Sequence, residues 1–98
     1  MTENIQQAKI HFDSENYEIA LRFLDKELER NSYVITSEIC YYKGMSLINI
    51  GIIRDEKFWI ESGKQFLERL VASTLDRDLI NFPNAKERLD WAKINCKN

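Results

Sequence analysis

Apolar positions recur along the chain at intervals of three and four, the spacing that draws one stripe down an α-helix. Three stretches share a sharper form of it, with an apolar residue, a small residue three later and an apolar residue four after that: Ile5/Ala8/Phe12, Tyr41/Gly44/Ile48 and Leu89/Ala92/Cys96. A small residue in the middle of a stripe lets a neighbouring backbone come close, so the pattern predicts helices stacked against one another.

The individual elements follow from the same periodicity. A first helix is predicted over Glu3–Phe12, with Thr2 as its cap and the polar run Asp13-Ser14-Glu15-Asn16 as its end. Asn16 caps a second over Tyr17–Arg30, in which Tyr17, Ala20, Leu21, Leu24 and Leu28 form the buried stripe. A short turn makes these two an antiparallel pair. The third helix, from Tyr33 or Ser37 to Ile50, contains Ile39-Cys40-Tyr41-Tyr42, which cannot fit on one face and so demands neighbours on both flanks. Gly51, in the left-handed conformation, is its expected end. A fourth helix runs from Asp55 or Glu56 to Val71 or Ala72, burying Phe58/Trp59, Ser62/Gly63, Phe66/Leu67 and Leu70/Val71. Residues 74–81 read as a short helix or an irregular connector. Pro83, at a first-turn position, opens a last helix over Asn84–Cys96 whose stripe Ala85/Leu89/Ala92/Cys96 suits a terminal cap.

Length and composition support this reading and narrow the function. Ninety-eight residues, 44% hydrophobic and 31% charged with one proline, describe one ordered domain spanning 1–98 with enough core to fold without metal or disulfide. Residues 1–50 carry five basic and eight acidic side chains, and residues 51–98 carry nine and eight. Bases alternate with acids, as in Asp76-Arg77-Asp78, so Lys57, Lys64, Arg69, Arg88 and Lys93 do not make the clustered basic face that nucleic acid requires. The first residues show no basic and then apolar leader pattern, and no stretch reaches the roughly 20 apolar residues of a membrane span, so a cytoplasmic chain without membrane contact is expected. Cys40 and Cys96 form no CxxC pair and read as reduced, buried thiols.

Enzymatic chemistry has no constellation to carry it. His11 is the one histidine and lacks a nucleophile and an orienting acid at useful spacing. Ser62-Gly63-Lys64 lacks the preceding glycine of a phosphate loop. Glu27/Glu29/Arg30 read as a solvated face. No metal or cofactor is expected.

Residues 3–31 resemble a tetratricopeptide repeat. Ala8, Tyr17, Ala20 and Leu24 stand at that family's intervals: a small residue in the first helix, an aromatic opening the second, then alanine and a large apolar residue. A second, looser unit has Gly44 for its small residue, and its later positions fall at Trp59/Ser62/Phe66 or Ile60/Gly63/Leu67, which implies an insertion around residues 52–56. Ser32 stands where proline often closes such a repeat, and His11 where tyrosine is common. The resemblance implies an all-α fold of antiparallel helix pairs, stacked as a short TPR-like right-handed superhelix of about five helices with a C-terminal capping helix. It also implies a concave face bearing Ile5, Lys9, Phe12, Tyr41, Met45 and Ile48. Such a face suits a non-catalytic adaptor or small chaperone that holds an apolar helix or extended segment of one protein partner.

Two alternatives stand beside it. If the last helix folds across the concavity, the same apolar residues are core, and if the face pairs with its own copy the chain is a homodimer. A toxin-immunity or enzyme-inhibitor protein would instead act through the acidic first hairpin, with Glu15, Glu18, Asp25 and Glu29 steering it onto a basic target.

Overall fold

The first three helices of the computed structural model, which describes residues 2–96, start or stop where a local hydrogen bond makes them do so. Helix α1 (Glu3–Asp13) begins at Thr2, whose side chain accepts from the Ile5 amide at 3.3 Å. Helix α3 (Ser37–Arg54) begins in the same way at Thr36, which accepts from Ile39 N at 3.3 Å, and this cap excludes the earlier start at Tyr33. Between them lies α2 (Tyr17–Arg30), and after them α4 (Lys57–Ser73), a six-residue 3-10 segment (Asp76–Asn81) and α5 (Ala85–Asn95). All secondary structure among the described residues is helical.

The ends of α1, α2 and α3 share one closure. Asn16 N donates to His11 O at 2.7 Å, Tyr33 N to Leu28 O at 2.7 Å and Glu56 N to Gly51 O at 2.9 Å, each bond spanning five residues. The residue before each donor, Glu15, Ser32 and Asp55, has positive φ. This is the Schellman geometry with a side-chain-bearing residue where glycine is usual. Asp55 thus takes the left-handed position expected of Gly51, which is helical, and α3 runs on to Arg54. Pro83 also departs from expectation: α5 starts at Ala85 after Asn84, and Pro83 lies outside its first turn.

Gly51 is needed for a different reason. A Cβ there would sit 2.6 Å from Ile60 Cγ1 and 2.9 Å from Glu56 O. At Gly63 a Cβ would meet Gly44 O at 2.5 Å, and at Gly44 it would meet Gly63 O at 3.1 Å. All three glycines of the chain therefore serve the α3/α4 contact, letting the two helices touch backbone to backbone. The two-residue link 55–56 makes them neighbours, and α1 and α2 form the other adjacent pair.

Packing then divides the core in two. One cluster joins α1, α2 and the start of α3 through Ile5, Ala8, Leu24, Leu28 and Ile39. The larger one joins α3, α4 and α5 through Tyr41, Met45, Ile48, Ile60, Leu67, Leu70 and the α5 stripe Ala85, Leu89, Ala92 and Cys96. Helix α3 touches α2, α4, α1 and α5, the central place its several apolar sides demand.

Candidate functional site

The positions expected on the concave face separate into covered and accessible ones. Ile5 is buried against α2, and Met45 and Ile48 are buried in the core that α3 forms with α4 and α5, so the picture of an open groove over these three is corrected: the chain's own helices occupy it. Lys9, Phe12 and Tyr41 meet at the edge of that covered region, where they line a hollow of about 320 Å³ with Asp13, Tyr42, Asn81 and Pro83.

This hollow is built from α1, α3 and the segment leading into α5. Lys9 and Asp13, four apart on α1, are exposed, while Phe12 between them is half-buried. The Phe12 ring lies 6.0 Å from Tyr41 and 5.4 Å from Tyr42, the latter edge to face. Tyr41 also packs on Phe82, centroid to centroid 5.4 Å, and its hydroxyl donates to the Pro83 carbonyl at 2.7 Å. Tyr41 itself is only 6% exposed and forms the floor. Burial, reinforced by Tyr42 and Asp13, pushes its phenol up to about 12, which keeps the proton that the bond to Pro83 uses. Burial also raises Tyr42, with Asp13 and Glu38 adding to it. Aromatic rings below and one charge of each sign at the rim make a seat for an apolar or aromatic side chain carried on a polar backbone.

The acidic hairpin is partly neutralised from within. Glu15, Glu18, Asp25 and Glu29 are all exposed, yet Asp25 pairs with Lys43 at 3.2 Å and Glu18 with Arg54, so α3 supplies counter-charges to two of the four. Glu15 and Glu18 line a second hollow, of about 280 Å³, with Tyr17, Ile19, Ile50, Ile53 and Arg54.

Three further placements differ from the sequence reading or resolve it. Glu27 is not solvated: it is 3% exposed, accepts from Arg30 at 2.9 and 2.8 Å and from Asn4 at 3.5 Å, and these bonds, the Arg30 one foremost, hold its carboxyl at about 2. Its partners lie on α1 and one turn along α2, so it ties the start of the first helix to the end of the second. His11 stacks on Phe23 with ring centroids 5.6 Å apart. Of the run Phe58-Trp59-Ile60, Ile60 is core, Trp59 is half-buried with the Arg54 guanidinium 5.5 Å from its ring centroid, and Phe58 is exposed.

Among the described residues no group of three or more His, Cys, Asp and Glu side chains is placed to hold a metal ion, and no helix is long and apolar enough to cross a membrane. Burial raises the Cys40 thiol above its ordinary value, the opposite of what an active thiolate needs. Comparison with family models, curated proteins and solved structures finds no match.

Proposed function

We propose that the chain is a non-catalytic protein-binding module of TPR-like build, an adaptor or small chaperone that seats an apolar segment of one protein partner across α1 and α3. The observation carrying this reading is the convergence of Lys9, Phe12 and Tyr41, from two helices some thirty residues apart, on one aromatic hollow with Tyr42 and Pro83. A repeated packing relation supports the stacked-repeat architecture: α3 lies against α2 and α1, and α5 lies in turn against α4 and α3. A hollow of this size takes one or two side chains of an extended segment or helix, so the affinity it confers is moderate and the rim charges set the register.

Affinity capture of the tagged chain from its native cells, beside a Lys9→Glu/Asp13→Lys variant, tests the proposal. Both positions are exposed, so the variant keeps its fold. One protein enriched by the native chain and lost with the variant is the expected result. A partner held equally by both moves the site away from α1 and α3.

A further inference from the structure

We propose that the hollow between the start of α2 and the end of α3 is a docking surface for a basic amphipathic segment of a protein partner, one that carries lysine or arginine beside a large apolar side chain. It shares no lining residue with the hollow at Lys9 and Phe12, so the two sites stand or fall separately.

The apolar part of this surface is open. Ile50 is its buried floor, while Ile19 of α2 and Ile53 of α3 form accessible walls, Ile53 being 73% exposed. From there the surface continues through Arg54, whose guanidinium lies over the Trp59 ring, to Phe58. The Phe58 ring centroid is 5.0 Å from that of Trp59, and the residue is 62% exposed. Covering such side chains is what an apolar anchor on a partner gains from.

Charge decides which kind of segment fits. Residues 15–18 and 54–57 adjoin through the pair Glu18–Arg54 and together hold four acidic and two basic side chains, a net charge as large as the −2 of the whole chain. Arg54 is already engaged by Glu18 and Trp59, whereas Glu15, Asp55 and Glu56 make no ion pair among the described residues. The field reaches into the hollow: the Tyr17 phenol in its wall is raised, by burial first and Glu15 next, with Arg88 and Asn49 acting against them. An apolar side chain arriving with lysine or arginine is therefore matched on both counts, and an acidic segment is repelled.

Two of these acids also stand where local stability disfavours them. Glu15 and Asp55 take the left-handed positions that close α1 and α3, where glycine is usual and a negative charge opposes the helix dipole. The equivalent position after α2, one helix length from the hollow, is the uncharged Ser32.

The test titrates two capped amphipathic peptides into the isotope-labelled full chain, followed by NMR. Both carry the same leucine face, one with lysine and the other with glutamate at every polar position. At low salt the lysine peptide should bind at least ~10-fold more tightly than the glutamate peptide, with shifts centred on residues 15–19, 50–54 and 58–59. Ile53→Ser, at a position exposed enough to leave the fold intact, should weaken that binding ~10-fold. Glu15→Gln with Asp55→Asn should weaken it at least ~3-fold. Binding of neither peptide, or equal binding of both, overturns the proposal, as does a lysine peptide held unchanged by the Ile53→Ser chain or shifts centred on Lys9 and Tyr41. Self-association of the native chain that Ile53→Ser abolishes gives the surface to a second copy and overturns the partner assignment.

Discussion

Replacing Gly63 by alanine sets two expectations of opposite sign against each other. On helix propensity alone the change stabilises by about 1 kcal/mol, since glycine is the poorer helix former. The packing opposes it. The new Cβ would lie 2.5 Å from Gly44 O, 2.7 Å from Ile48 Cγ1 and 2.9 Å from Ile48 N. Two of these three are backbone atoms of a facing helix and cannot rotate away, so α3 and α4 must separate along a contact that also buries Ile48, Ile60 and Leu67. Overpacking with so little relief costs ~3 kcal/mol, leaving a net loss of ~2 kcal/mol. For a domain of this length that is a fall of about 8–16 °C in Tm, read by far-UV circular dichroism. Ser62→Ala, exposed on the adjacent position, is the control and should stay within ~0.5 kcal/mol of the native chain. A Gly63→Ala chain as stable as the native one, or more so, would refute the backbone-contact account of α3 and α4.

Other perturbations test other parts of the fold. Glu27 has a carboxyl lowered from 4.5 to about 2, so its contribution is present above pH 4.5 and is lost as pH falls toward 2; Glu27→Gln should remove that part of the acid dependence, and urea midpoints that fall in parallel with pH in the two chains would contradict it. Ser32 occupies a left-handed position at φ 53°, so Ser32→Gly should stabilise by ~0.5–1 kcal/mol, and a lowered Tm would show that the turn prefers a side chain there. Tyr41→Phe removes the bond to Pro83 and should cost ~1 kcal/mol at neutral pH. Because the phenol is raised to about 12, the native chain should also lose stability as pH rises from 10 toward 12, and the phenylalanine chain should show a smaller loss, the part that the raised Tyr42 and Tyr17 still contribute; identical alkaline profiles would overturn the assignment.

What the sequence could and could not disclose follows from the range of each interaction. Caps and stripes are local, so Thr2 and the five α-helices are readable from residues three and four apart. Gly51 was ambiguous in principle, since glycine serves both left-handed ends and close approaches, and only the position of Ile60 and Glu56 against it decides which. Glu27 looked solvated because one of its partners, Asn4, lies 23 residues away. Helical spacing sets Phe12 and Lys9 on one side of α1, and Tyr41, Met45 and Ile48 on one side of α3. It carries no signal that α4 and α5 close over the last two, or that Pro83 returns to shape the hollow. Asn81 and Pro83 therefore entered the candidate site only through the tertiary structure.

Site-specific photo-crosslinking in native cells tests the central claim most directly, with the reactive side chain placed at Lys9 in one chain and at Glu29 in another. Both positions are exposed on different helices, α1 and α2, so neither disturbs the core. The account predicts one discrete protein adduct from position 9 and none from position 29. An adduct from position 29 alone would contradict it and assign binding to the acidic hairpin.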